Sequence, residues 1–425
     1  MLAEIVQAGF VITAETDNAD VVVINTCGFI APAEAESLEA IRRAVDCKSN
    51  GSVKKVVVAG CLGERLGPGL HKKVSGIDAV VSLDQRDNIA EIIKRVLACN
   101  VPNPSRFETP AAPSADRIPD DRTRLLITPG HWAYLRISEG CNRRCSYCTI
   151  PAIRGTFRSK PVEIVLAEAE ELASAGVLEL NLIAQDTTYY GRDLKTRIGL
   201  SALIRELDKV AGIEWIRLMY LYPTGIDDEL IETIAESTKT VHYLDIPLQH
   251  VSANILKSMR RPDDPGALRR LIKNLRRAMP DIILRTTLMV GFPGETDRDF
   301  EELLNFVKRA RFDALGCFEF YPESGTAAAE MPAQVPDEIK KERFDELMLT
   351  QQKIAFEKNE SRVGGRLRCL VDSVESDSLG CGRFYGQAPE IDSVCMIEDC
   401  SAAPGQFIDA KVIDARDYDL CVEQV

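Results

Sequence analysis

Three cysteines share one short loop. The stretch "EGCNRRCSYCTIP" sets Cys141, Cys145 and Cys148 in a C-x3-C-x2-C spacing, directly after "AYLRIS", an apolar run that reads as a strand. Free cysteine packs as a small apolar residue wherever a core has room, so three core thiols crowded into one loop would be unusual. Structural zinc wants four closed ligands, commonly in C-x2-C pairs, and the nearest histidine, His131, lies upstream at the far end of the strand. Thiolates at short spacing also suit an iron–sulfur cluster, and three ligands on four irons leave one iron open to bind another molecule. The spacing therefore predicts a reactive cluster, with core cysteines and zinc as the alternatives. Two more thiols, Cys27 in "NTCGF" and Cys61 in "GCLGE", each follow an apolar run.

The elements around these thiols fall into three groups. In residues 1–100, "DVVVINT", "KKVVVAG" and "IDAVVSL" alternate with helical patterns, the first of them with Leu2, Ile5, Val6 and Phe10 on its face. Strands alternating with helices indicate a parallel sheet covered on both sides, whose ligands sit beyond the carboxyl ends of the strands. Cys27 and Cys61 fall at that edge. Residues 101–126 hold five of the prolines and read as a linker or surface strap. Between 127 and 360, six strand-like runs separated by helices fit a partial (β/α)6 barrel with its working face at the strand carboxyl ends. A polar amphipathic helix over 337–360 closes that unit. Residues 361–425, with short runs between Gly, Pro and Asp, read as a small antiparallel β-barrel.

Composition narrows the setting. A net charge of −13 over 425 residues argues against broad adhesion to nucleic acid or anionic membrane. No apolar run approaches the ~20 residues that span a bilayer, and no secretory signal is visible. Thirteen cysteines are too sparse for a disulfide scaffold in a chain of this length, so reduced thiols in a cytoplasmic protein are expected.

With Tyr147 as the aromatic of C-x3-C-x-aromatic-C, the loop resembles the signature of the radical S-adenosylmethionine (SAM) enzymes. In that superfamily the open iron binds the methionyl end of SAM, and one electron yields a 5′-deoxyadenosyl radical. The domain order resembles the methylthiotransferases: a flavodoxin-like sheet with cysteines at strand ends, a radical barrel, and a C-terminal TRAM (OB-like) barrel. "SEGCNRRCSYCTIPAIRG", "QDTTYYG", "YLDIPLQH", "RTTLMVGFPGET" and "APEID" are similar to the ribosomal-protein branch, the RimO-type enzymes. The tRNA-adenosine branch, which remains the alternative, usually has Gly-Gln-Asn where this chain has Ala184, Gln185 and Asp186.

The resemblance implies methylthiolation of an aspartate β-carbon in ribosomal protein S-twelve, with one SAM as radical source and one as methyl donor. It implies two [4Fe-4S] clusters, one on Cys141, Cys145 and Cys148 and a sulfur-delivering one on Cys27, Cys61 and a further thiol. It also implies a reducing partner such as flavodoxin or ferredoxin, and a monomer. In the family that further thiol precedes the first helix, a segment this sequence lacks, so the second cluster is expected to be incompletely ligated in a truncated chain; Cys47 and Cys99 are poor substitutes by position.

The remaining motifs are weaker. "VGFPGET" is a glycine-rich turn beside the implied cofactor site, with Thr296 and Asp299 spaced as a helix capping box. Gln185 and Asp186 end the second barrel strand, and Gln249 and His250 follow the fourth, with His250 read as structural. Arg285 needs an anion if buried, either the SAM carboxylate or a neighbouring acidic side chain. The scattered cysteines of the last domain read as core fillers. That domain carries six Arg or Lys against twelve Asp or Glu, a net of −6. Such a surface repels phosphates and favours a basic polypeptide, so no tight nucleic-acid binding is expected.

Overall fold

The computed structural model describes residues 1–16, 19–98, 118, 120–376 and 378–425, and the backbone alone of 107 and 108. The first domain runs through α1 (Leu2–Gln7), β1 (Val21–Thr26), α2 (Ala31–Ser49), β2 (Lys55–Gly60), α3 (Cys61–Leu66), α4 (Leu70–Lys73), β3 (Ala79–Val81), α5 (Ile89–Ala98) and β4 (Phe107–Glu108). Its four strands are all parallel, in the order β1-β2-β3-β4. Side chains alternate along β2, so Val57 and Ala59 pack against Ile89, Ile92 and Ile93 of α5 while Val58 packs against Leu38 and Ile41 of α2. Both faces are therefore covered, as a parallel sheet requires.

Two details depart from the expectation. Helix α1 stops at Gln7 and buries Ile5, while Val6 is 47% exposed; six residues are too few to carry an apolar face as far as Phe10. The proline-rich segment is also not all linker. Its residues 107 and 108 pair with Val80 and Val81 and supply the open backbone edge of β3 with partners. At the segment's other end Asp121 meets Arg136 at 2.7 Å and Lys160 at 3.1 Å, fastening the strap to the barrel.

The second domain comprises β5 (Trp132–Arg136), β6 (Ser138–Glu139), α6 (Ile150–Arg154), β7 (Arg158–Ser159), α7 (Val162–Ser174), β8 (Glu179–Ile183), α8 (Leu200–Leu207), β9 (Trp215–Leu218), α9 (Asp228–Glu236), β10 (Thr240–Asp245), α10 (Ala253–Ser258), α11 (Pro265–Ala278), β11 (Ile283–Val290), α12 (Asp297–Ala310), β12 (Ala314–Glu319) and α13 (Asp337–Glu360). Strands β5, β8, β9, β10, β11 and β12 form one open parallel sheet in chain order. Leu135, Leu180, Leu182, Leu218, Leu244 and Leu284 point outward into the helix-covered core. The alternate positions, among them Glu179, Asn181, Arg217 and Asp245, are polar or charged and almost fully buried.

The last domain is a closed barrel of β13 (Arg366–Ser376), β14 (Leu379–Phe384), β15 (Cys395–Glu398), β16 (Phe407–Arg416) and β17 (Asp419–Gln424), in the order β13-β14-β15-β17-β16. It is not wholly antiparallel: β15 and β17 run parallel. Strand directions cannot alternate around a ring of five, so one neighbouring pair must run parallel. Cys369, Cys395, Cys400 and Cys421 are buried as core residues, and Cys381 is partly so.

This barrel sits against the concave face of the six-stranded sheet. Trp215, Met219, Val241, Tyr243 and Ile283 share one apolar cluster with Leu370, Phe384, Ile408 and Val422. Phe407 stacks edge-on against Trp215 at 4.8 Å, and the Tyr385 hydroxyl donates to the Asp281 carbonyl at 2.8 Å. The domain's aromatic rings are thus largely spent on the rest of the chain. Through the same interface Glu179 receives Arg217 at 2.8 Å and Arg383 at 2.6 Å, and Arg383 also binds Asp372, which meets His131. Replacing Glu179 by Gln leaves two buried guanidinium groups short of a carboxylate, and should cost about 3–5 kcal/mol. The check is the urea midpoint at unchanged slope; a variant within about 0.5 kcal/mol of the parent would show that the network does not hold the domains together.

Candidate functional site

The cysteine loop leaves the first barrel strand through β6 and returns through α6 and β7, which pairs with β6 as a short ribbon. Gly140 makes the exit possible: its φ is +79°, and a Cβ there would lie 2.2 Å from the Thr156 carbonyl oxygen. Beyond it the loop is pinned from several sides. Ser146 donates its backbone N–H to the Met259 carbonyl at 3.0 Å and its hydroxyl to the Ser258 carbonyl at 2.8 Å, while its own carbonyl accepts from Ala328 N–H at 2.9 Å. Cys141 is buried; Cys145 and Cys148 are partly so. The Arg143 N–H points at the Cys141 sulfur at 3.4 Å, the kind of donor that tunes a cluster thiolate.

Burial raises the Cys141 thiol and pushes Cys148 up to about 12. Both would stay protonated at neutral pH unless a metal displaced the protons. Among the described residues no three His, Cys, Asp or Glu side chains converge on one ion. A four-iron cluster does not need that convergence, since each thiolate holds a different iron. The donor set, its spacing and its buried or partly buried sulfurs fit such a cluster.

Around the loop lies a band of paired cations and aromatics. Arg143 donates Nε to Asp186 at 2.8 Å and lies 3.8 Å over the Tyr222 ring; Arg261 covers the same ring at 4.3 Å and donates to Asp263 at 2.9 Å. Asp186, expected at the cofactor, is therefore engaged with the cluster loop and with the Thr188 hydroxyl at 2.6 Å. Tyr147 packs edge-on against Phe292 of the glycine-rich turn at 6.5 Å. That turn is rigid: Glu295 accepts from Gly291 N–H and pairs with Arg343 of α13, each at 2.9 Å. The capping box of Thr296 and Asp299 is present at the start of α12. His250 is fully buried; its Nδ1 accepts the Ser252 N–H and its Nε2, without a hydrogen-bond partner, lies 3.5 Å from the Glu295 carboxylate.

Polar atoms without partners mark where a ligand would be held. Gln185 Oε1, both amide atoms of Asn181 and the Ser138 hydroxyl are buried with no hydrogen-bond partner. Asn181 alternates with the helix-facing Leu180 and Leu182 on the inner face of the sheet, and Ser138, just beyond β5, alternates with the helix-facing Ile137 toward the same side. A polar ligand such as SAM would satisfy them. Arg285 does not need that ligand. It pairs with Asp245 at 2.9 Å and with Asp392 of the last domain at 3.4 Å, so its buried charge is met by the acidic alternative and the argument for a SAM contact lapses.

Cys27 and Cys61 emerge side by side, because Thr26 and Gly60 are register partners at the ends of β1 and β2. Gly60 has φ +95°, and a Cβ there would lie 2.4 Å from the Thr26 carbonyl oxygen. Cys27 is exposed and Cys61 buried. The Cys61 sulfur accepts from Arg154 at 3.1 Å, at the end of the helix that follows the cysteine loop, and Arg154 is held by Glu139 at 2.7 Å. Cys47 lies sixteen residues into α2, about 24 Å along its axis from the Cys27 end. Cys99 lies outside the described residues. Arg143, Arg154, Glu139, Asn181 and Ser138 were not singled out from the sequence. Only Arg143 carried a local signal, its place between the cysteines.

Residues 135–307 match the Radical SAM superfamily, residues 1–82 the Uncharacterized protein family UPF0004, and residues 363–425 the TRAM domain. The chain is 43% identical to the ribosomal protein uS12 methylthiotransferase RimO of Syntrophomonas wolfei subsp. wolfei, over 100% of this chain and 95% of that protein. It is 44% identical to the protein of the same name from Anaeromyxobacter sp. (strain Fw109-5), over 99% and 88%. Among solved structures, the radical S-adenosylmethionine methyltransferase TsrM from Kitasatospora setae shares the fold, with a TM-score of 0.53 at 15% identity over 84% of this chain and 68% of that one. The radical SAM domain implies a [4Fe-4S] cluster and SAM. From the identity over its whole length, the chain belongs to the RimO family of methylthiotransferases and is a sulfur-inserting radical SAM enzyme.

Proposed function

We propose that the protein methylthiolates the β-carbon of an aspartate in ribosomal protein uS12. Cys141, Cys145 and Cys148 would hold a four-iron cluster which, with SAM bound, would supply the radical chemistry needed to activate an unreactive C–H bond. Tyr147, Gln185, Asn181 and Ser138 shape the SAM side of the mouth, and Asp186 acts by holding Arg143 against the cysteine loop. Cys27 and Cys61 contribute to a second, sulfur-delivering cluster. Among the described residues no third cysteine directly follows a strand of that sheet. The enzyme works as a cytoplasmic monomer fed electrons by a flavodoxin or ferredoxin, and a second SAM donates the methyl group. The observation that carries this reading is the meeting of the two thiol sets at one barrel mouth, bridged by Arg154 between the cysteine loop and the Cys61 sulfur.

The acidic last domain supports a basic polypeptide substrate over tRNA. Phe407 is packed on Trp215, Tyr385 is bonded to Asp281 and Tyr418 is packed on Phe356, and the domain's net charge is −6. Stacking platforms and a basic groove, which single-stranded RNA needs, are not what it offers.

Two outcomes follow. Anaerobically reconstituted protein should cleave SAM to 5′-deoxyadenosine, and alanine at Cys141, Cys145 or Cys148 should abolish it. Alanine at Cys27 or Cys61 should abolish methylthio transfer to uS12, read by mass spectrometry. A triple-alanine loop variant that still formed 5′-deoxyadenosine would refute the assignment.

A third outcome concerns substrate choice. Reversing the exposed Asp414 and Asp417 to Lys should weaken uS12 binding about tenfold at low salt and flatten its salt dependence. Asp419 is left intact because it accepts the Val394 N–H at 2.9 Å. Unchanged uS12 affinity would remove the electrostatic argument, and tight tRNA binding without uS12 binding would favour the tRNA branch.

A further inference from the structure

The first domain is fastened to the barrel mouth at a second place, and one carboxylate does most of the fastening. Glu323, in the loop after the last barrel strand, is 6% exposed. Its Oε1 accepts the backbone N–H of Ala31, the first residue of α2, at 2.6 Å. That helix has no side-chain cap of its own, since Ile30 stands at its N-cap, so a residue of another domain caps it. The other oxygen, Oε2, receives Arg65 at 2.9 Å. Arg65 lies on α3, the helix that begins with Cys61, and its Nη1 donates to the Gly28 carbonyl, next to Cys27, at 2.7 Å.

Each oxygen of this carboxylate therefore reaches a different thiol-bearing segment. One holds the end of the loop that starts at Cys27, and the other holds the helix that starts at Cys61. Arg65 then ties the two segments together. The barrel contributes Glu323 from the connection whose Ala328 N–H also holds the cysteine loop at Ser146. A buried carboxylate with one cation and one helix N-terminus is a directional clamp: without it the Ala31 N–H loses its acceptor, and Arg65 keeps only the Gly28 carbonyl and the more distant Glu34 carboxylate at 3.9 Å.

We infer that Glu323 is a positioning residue that sets the Cys27–Cys61 pair over the radical site, so that its loss uncouples sulfur transfer from SAM cleavage. The inference rests on the sulfur-delivering role proposed above for these two cysteines.

The test uses the whole 425-residue chain, reconstituted, with three variants: Glu323→Ala, Glu323→Gln and Arg65→Met. Glu323→Ala should leave 5′-deoxyadenosine formation within about twofold while methylthiolated uS12 falls about tenfold or more, a loss on the scale of one buried charge-assisted bond. Glu323→Gln keeps an acceptor for Ala31 and should recover part of the transfer, and Arg65→Met should lose it as Glu323→Ala does. Hydrogen exchange on the same proteins gives the independent readout: protection of residues 27–35 should fall in Glu323→Ala, with the barrel strands unchanged. Parent-level transfer together with parent-level protection in Glu323→Ala overturns the inference, as does equal loss of SAM cleavage and transfer. If the parent chain itself makes no methylthiolated product, the functional reading fails; loosened exchange at 27–35 in Glu323→Ala would still support the clamp, and unchanged exchange would sink it.

Discussion

Charge buried on the concave face of the barrel sheet is the constraint on which the rest of the architecture depends. Arg217 and Glu179 are fully buried on that face, and Asp245 stands beside them with the partly buried Arg285. An open six-stranded sheet cannot leave such groups against an apolar neighbour, because an unpaired buried charge costs several kcal/mol, roughly, after relaxation. The last domain supplies what is missing: Arg383 and the Tyr385 carbonyl to the first pair, and Asp392 to the second. Its docking face and orientation follow from those partners. With one end of the concave surface filled this way, the carboxyl-end mouth is left for the cysteine loop and for the first domain.

At that mouth the same logic recurs at smaller scale. The cysteine loop must present three sulfurs without wrapping them, so its backbone is held by groups outside it: carbonyls of Ser258 and Met259, the Ala328 N–H, and the cation band of Arg143 and Arg261 around Tyr222. Asp186 and Asp263 keep those guanidiniums in place. The glycine-rich turn is braced by Glu295 and Arg343, which brings α13 into the support of the site although none of its residues approaches the sulfurs by sequence. Radical chemistry needs a site that does not move, and these bridges are buried enough to be stiff.

What could be read from the chain divides along range. The six barrel strands, the three-residue spacing of the capping box and the cysteine loop are local patterns, visible because periodicity and ligand spacing act over a few residues. The long-range pairings were not visible. Arg143 meets Asp186 across 43 residues, and Arg65 meets Glu323 across 258. Nothing adjacent to Glu323 in "YPESGT" distinguishes it from any loop acid. Arg285 shows the same limit from the other side. Its burial correctly demanded an anion, but only the docked last domain reveals Asp392 and the completed pairing. The parallel closure of the last barrel is a global property of five strands in a ring, and no single hairpin announces it.

Radical formation at this mouth requires that three thiolates leave one iron free for SAM. The most direct measurement is electron paramagnetic resonance of the reduced, reconstituted protein before and after SAM is added, carried out in a Cys27→Ala and Cys61→Ala background so that only the barrel cluster reports. The account predicts one reduced four-iron signal whose g-values shift when SAM occupies the open iron. A signal indifferent to SAM, or no cluster signal from Cys141, Cys145 and Cys148, would contradict it.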